Sequence, residues 1–214
     1  AVKAGFVQDI IEKSAAKRLE DIANRRLIQL GTNQYPNLNE EMLGQIHFAE
    51  EDEELEEELY ADEDMEIEDD EDETPSTFKK LVLFGGSDAF DQLRLATEQY
   101  VEEGNKKPAV FLFNIGNLAM RKARAMFTTN FFGCAGYEIL DNSGFQTVDE
   151  GVEAAKASNA EIVVICSSDD EYATLGAEIA TKLKAANKET ILVVAGYPKE
   201  ILDTLKQAGV DEFI

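Results

Sequence analysis

Short apolar runs separated by helix-type segments constrain this chain more than any other feature. AVFLF at 109–113, YEIL at 137–140, EIVVIC at 161–166 and TILVVAG at 190–196 each read as a strand. VDEFI at the end reads as a fifth, and LVLF at 81–84 as a further strand or a buried turn. Between them lie LAMRKARAMFTTNFF, TVDEGVEAAKASN, EYATLGAEIATKLKAAN and KEILDTLKQAG, which carry helix formers at helical spacing. The central runs are continuously apolar, as strands are when helices cover both faces of a sheet. A strand–helix unit recurring roughly every 25–30 residues implies right-handed crossovers and a parallel sheet. The economical fold is α/β, a flavodoxin-like, Rossmann-like sheet of five parallel strands.

Local signals sharpen the element ends. Ser87 is the expected N-cap of SDAFDQLRLATEQYVEEG, with Gly104 as its stop. Thr147 with Glu150 three residues on has the spacing of a capping box. Asp169, Asp170 and Glu171 read as acids at a helix N-terminus, where they complement the helix dipole. Phe127, Phe131 and Phe132 read as core packing.

The remainder falls into two further segments. Residues 1–35 read as one amphipathic helix with a strand-like tail; Phe6, Ile10, Ile11, Ala15, Leu19, Ile22 and Ala23 form its apolar stripe. A lone helix cannot bury such a stripe by itself. Residues 36–76 read as a mobile acidic linker, and the α/β domain occupies 77–214. The formal net charge of -24 belongs to that linker: from Glu50 to Glu73, 18 of 24 residues are acidic. The rest of the chain holds 26 acids against 20 bases, an ordinary balance. So acidic a segment repels a phosphate backbone, which argues against nucleic acid as a partner. No apolar run approaches the length of a membrane span. Cys134 and Cys166 read as reduced thiols, Cys166 buried at a strand end; with no signal peptide this suggests the cytoplasm. The chain starts at Ala1 and stops inside a strand pattern, which reads as a piece of a longer polypeptide.

In a parallel sheet, ligands sit at the carboxyl ends of the strands. Here those ends read NIGNLAMRKA, DNSGFQT, SSDDEY and GYPKE. A phosphorelay receiver needs an Asp ending the third strand, an acidic pair after the first and a Lys ending the fifth, and none of these is present. A nucleotide site needs a Gly-rich phosphate cradle, and NIGNLAM has one Gly. The single histidine, His47, lies in the linker, so Ser167 and Ser168 have no base for nucleophilic catalysis. No EF-hand spacing is present, and metal capture by the acidic run would be unspecific. The expectation is a domain without catalytic or metal-binding residues.

From Gly5 to Ile214 the chain resembles the small, non-catalytic subunit of methylmalonyl-CoA mutase. GFVQDIIEKSAAKRLEDIANRR and LGTNQYP resemble the end of its substrate barrel, so that 1–35 would be the last barrel helix and exit. FDQLRLATE, KPAVFLFNIGN and ARAMFTTNFFGCAGYEI resemble the opening of its cobalamin-binding-like domain. The resemblance implies a heterodimer whose catalytic large subunit binds adenosylcobalamin through Asp-x-His-x-x-Gly after the first strand. The His ligates cobalt and the Asp orients it. A Ser after the third strand and a Gly-Gly after the fourth make room for the nucleotide tail. Here those positions carry Leu118, Met120 and Ala123, then Ser167, then Gly196 and Tyr197. The Asp, the His and the first-loop Gly are lost, and Tyr197 would fill the tail channel. The resemblance therefore implies no cofactor on this chain and a pocket closed by the apolar face of a helix. Two alternatives remain: a cobalamin domain with an atypical binding mode, and a flavodoxin-like signalling module.

Overall fold

A computed structural model describes residues 5–44 and 85–214. His47, LVLF and the run from Glu50 to Glu73 lie outside the described residues. The chain divides into two units. One comprises residues up to Leu27 together with Glu41–Gly86; the other joins Ile28–Glu40 to Ser87–Ile214.

In the first unit, α1 spans Phe6–Ala23. Its expected stripe stays largely at the surface: Phe6, Ile10, Ile11 and Leu19 are exposed, while Ile22 is buried.

The second unit is the predicted α/β body. Helix α2 (Asp88–Glu102) precedes strand β1 (Ala109–Asn114), and α3 (Leu118–Gly133) follows it. Then come β2 (Glu138–Leu140), α4 (Val148–Ser158) and β3 (Ile162–Cys166). A single turn, α5 (Asp169–Glu171), runs through a π segment (Tyr172–Gly176) into α6 (Ala177–Ala186). Strand β4 (Ile191–Val194), helix α7 (Leu202–Ala208) and strand β5 (Glu212–Phe213) complete it. The five strands lie in the order β2-β1-β3-β4-β5, all parallel, which is the flavodoxin-like arrangement.

Alternation along the strands builds two cores. Phe111, Phe113, Val163, Ile165, Leu192 and Val194 face one side, against Val152 of α4, Ile179 of α6 and Leu205 of α7. Val110, Leu112, Val164, Cys166 and Val193 face the other, against Ala125 and Phe132 of α3. Period-two side chains on a doubly covered sheet produce this division.

Local ends differ in part from the sequence reading. Ser87 occupies the N-cap of α2 but makes no side-chain cap bond. Thr147 caps α4 by accepting the Glu150 N–H, but the Glu150 carboxylate returns to the Gln146 N–H, one residue too early for a capping box. The reciprocal box forms instead at Ser168 and Glu171. Phe127 and Phe131 stack on each other at the half-exposed surface of α3, and only Phe132 reaches the core.

Residues 28–40 are fastened to the α/β body by a buried cation. The Arg94 side chain of α2 is only 5% exposed and meets Glu40 Oε2 at 2.9 Å. Its Nη2 donates to the carbonyls of Asn37 (2.8 Å) and Gly133 (3.1 Å). The Tyr35 N–H donates to Asn130 Oδ1 at 2.6 Å, and Leu38 packs over Gly133, where a Cβ would lie 2.6 Å from Leu38 Cδ2. Removing the guanidinium takes the charged donor from two carbonyls, each of which keeps a backbone N–H (from Glu40 and Gly136), and leaves Glu40 without its cation. Arg94→Met is therefore expected to destabilise the body by about 2 kcal/mol, read by urea denaturation, the range for hydrogen bonds from a charged group.

Candidate functional site

The carboxyl edge of β1 and β3 is the switch point of this sheet, since the chain leaves β1 for β2 on one side and β3 for β4 on the other. Asn117 caps α3, its Oδ1 accepting the N–H groups of Ala119 (3.0 Å) and Met120 (3.1 Å). The Asn117 N–H itself points at the neighbouring loop, where the Glu171 carboxylate accepts it at 2.8 and 3.1 Å. The same carboxylate accepts Ser167 Oγ at 2.6 Å, Ser168 Oγ at 2.8 Å and the Ser168 N–H at 3.2 Å. Gly116 permits this approach. Its φ is +79°, and a side chain there would overlap the carboxylate. Hydrogen bonds from Ser167 above all, then from Ser168 and Asn117, hold the Glu171 carboxyl below its ordinary pKa against the opposing effect of desolvation.

A second knot lies beneath. The Tyr172 hydroxyl accepts the Ser167 N–H (3.0 Å) and lies within hydrogen-bonding distance of the carbonyls of Ala195 (2.7 Å) and Ile165 (3.2 Å). It joins the ends of β3 and β4, and burial pushes its ionisation up. Arg124 of α3 pairs with Asp169 at 3.0 Å and lies against Gly196, where a Cβ would sit 3.2 Å from the guanidinium carbon.

The positions singled out by sequence separate in space. Ser167 and Gly196 reach the crevice. Leu118 and Met120 are 54% and 39% exposed, and Ala123 is exposed. They do not close a pocket with an apolar face. The buried positions of α3 are Ala125, Thr128, Asn130 and Gly133, because close approach to the sheet admits small or hydrogen-bonded side chains there. The larger apolar residues fall outside that line. Tyr197 is 63% exposed and sets its ring edge-on to Phe213, with centroids 6.1 Å apart. The residue that sequence reasoning undervalued is Glu171. Its signal was the Ser-x-x-Glu spacing from Ser168, legible as a cap; its bonds to Ser167 and to the loop after β1 were not.

Both cysteines are buried and free. Burial pushes the Cys166 thiol up to about 12, with Thr128 Oγ1 3.8 Å away. Cys134 Sγ donates to the Asn130 carbonyl at 2.9 Å. Among the described residues no cluster of three or more His, Cys, Asp or Glu could hold a metal ion. None of their helices is long and apolar enough to cross a membrane.

No protein-family model matches the chain. Individual proteins do. Over 214 residues it is 41% identical to the methylmalonyl-CoA mutase small subunit of Porphyromonas gingivalis, matching 100% of this chain and 31% of that protein. The chain belongs to the methylmalonyl-CoA mutase small-subunit family. The probable small subunit of Mycobacterium tuberculosis is 27% identical over 209 residues, matching 98% of this chain and 28% of that protein. The small subunit of Streptomyces virginiae is 25% identical over 211 residues, matching 99% and 30%. The chain thus spans about three-tenths of the length of the curated relatives it matches.

Two measurements check this geometry. Neither thiol is expected to react with a disulfide-exchange reagent near neutral pH in the native state, and both are expected to react in urea. Glu171→Ala is expected to cost about 2 kcal/mol at neutral pH, the range for hydrogen bonds to a charged group. A carboxyl with a depressed folded-state pKa contributes above its unfolded value and loses that contribution as pH falls through the folded one. The stability gap between wild type and Glu171→Ala should therefore narrow below the usual carboxylate range, as measured by denaturation at neutral and acid pH.

Proposed function

We propose that the α/β body is a non-catalytic, structural domain within the small subunit of methylmalonyl-CoA mutase. On this reading a catalytic large subunit carries adenosylcobalamin and interconverts methylmalonyl-CoA and succinyl-CoA in the cytoplasm, and this chain supports it in a heterodimer. Residues 1–35 are the last helix and exit of a substrate-binding barrel, the exit from Ile28 onward lying on the α/β body with the start of the linker as far as Glu40, and the acidic remainder of 36–76 leads to the domain at 77–214.

The observation that carries the reading is the carboxylate of Glu171 at the switch point. It takes the Asn117 N–H and both serine hydroxyls, the donors that the start of α3 and the end of β3 would otherwise present to a ligand. Leu118 and Met120 offer no nitrogen to a cobalt ion, and the Met thioether is a poor ligand for Co(III). The residues present do not fit cobalamin bound through a histidine, so no step of the isomerisation passes through them. A phosphoacceptor role has no support in the geometry, because Asp169 is engaged by Arg124 and Asp170 stands exposed.

The test is co-elution. The whole polypeptide, mixed with hydroxocobalamin and passed over a sizing column, is expected to emerge colourless, with the cobalamin eluting free. A visible cobalamin spectrum travelling with the protein would overturn the structural reading.

A further inference from the structure

One cavity is not absorbed by that reading. It has a volume of about 560 Å³ and lies between the 35–38 segment, α3 and the loop after β2. That size is within the range of small-molecule sites. None of Ser167, Glu171 or Gly196 lines it, so it is separate from the closed crevice. Its lining is mostly apolar, and Tyr35, Pro36, Leu38 and Met126 supply most of that surface.

Charges of both signs line the same cavity: Asp141 on one hand, Arg121 and Lys122 on the other. Asp141 is held by two bonds to one of its oxygens. Oδ1 accepts Asn114 Nδ2 at 2.8 Å and the Asn142 N–H at 2.7 Å. Arg121 is held by neutral acceptors. Its Nη1 donates to the Gly116 carbonyl at 3.1 Å and its Nη2 to the Ser143 carbonyl at 3.0 Å. Its guanidinium lies on Gly144, where a Cβ would sit 2.6 Å from the guanidinium carbon. Lys122 stands exposed beside it.

None of these three charges forms an ion pair among the described residues, with one another or elsewhere. Lys106, Arg124, Lys156, Lys182 and Lys184, by contrast, each have a carboxylate partner. The bonds that fix Asp141 and Arg121 keep the two from collapsing onto each other, so both signs stay unneutralised around an apolar wall. A simple anion would be opposed by Asp141, and a simple amine by Arg121 and Lys122. A ligand carrying both charges is opposed by neither.

We infer that this cavity binds a free α-amino acid with an apolar side chain. The ammonium group pairs with Asp141, the carboxylate pairs with Arg121 and Lys122, and the side chain lies against Tyr35, Pro36 and Met126.

Isothermal titration of the whole polypeptide with phenylalanine, N-acetylphenylalanine, phenylalaninamide and glycine tests this. Phenylalanine is expected to bind. The acetylated and amidated forms are each expected to be about tenfold weaker, since each lacks one charge-assisted contact. Glycine is expected to be about tenfold weaker as well, for want of an apolar body. Asp141→Asn keeps an oxygen for the two N–H groups; it is expected to weaken phenylalanine about tenfold and to leave N-acetylphenylalanine unchanged. Lys122→Gln, a surface change, is expected to weaken phenylalanine about threefold and to leave phenylalaninamide unchanged. Failure of phenylalanine to bind the folded wild type at millimolar concentration would overturn the inference. So would binding of either blocked form as tight as that of phenylalanine, or full phenylalanine affinity in both variants. If Asp141→Asn misfolds, the wild-type ligand series and Lys122→Gln decide.

Discussion

Burial of β1 and β3 on both faces governs the rest of this structure. Val110, Leu112, Phe113, Val164, Ile165 and Cys166 have no exposed surface. A strand enclosed in this way can carry only apolar side chains along its length, so polar groups concentrate where it ends. The ends of β1 and β3 are where the backbone must turn, and each turn leaves N–H and carbonyl groups that need partners. Asn114, Asn117, Glu171 and Tyr172 all stand at that edge, and each satisfies a backbone group that the turn would otherwise strand, while Ser167 adds its hydroxyl to the Glu171 carboxylate.

This edge is also where such folds take ligands, and the two uses compete. Donors spent on a carboxylate of the same chain are not offered to a phosphate or a cofactor. The Glu171 carboxylate collects donors from two loops, and the Tyr172 hydroxyl ties the same serine to the end of β4. The crevice is thereby a joint between strands. Toward β2 the balance is different. Asn114 retains an unpaired acceptor, and Arg121 and Lys122 retain their charge.

Much of the fold was legible in the strands. Two-sided burial demands runs such as FLF and VVI, and helices between parallel strands are required by the crossover. The cap at Thr147 was legible for a similar reason, since it is made by residues three apart, although the Glu150 carboxylate bonds one residue before it. Legibility failed where partners are distant in the chain. Arg94 meets residues 54, 57 and 39 positions away, and Glu171 meets Asn117 across 54. Spacing in one segment carries no trace of such pairs. The same limit explains the aromatic residues of α3. Phe127 and Phe131 have the composition of a core, but the helix approaches the sheet through Ala125 and Thr128 and leaves them half exposed.

By itself, the sequence determined a parallel five-stranded body, a run of acids from Glu50 to Glu73, and a first loop without cobalt ligands. Each follows from residue type and local period. Only the tertiary structure decided how the switch point is closed, by a carboxylate across the crevice rather than by the apolar residues of the first helical turn. It alone placed 28–40 against the body and left one buried acceptor unpaired beside two cations. These outcomes depend on which loops the sheet order brings together, and on directional hydrogen bonds and unscreened charges that act only at contact distance.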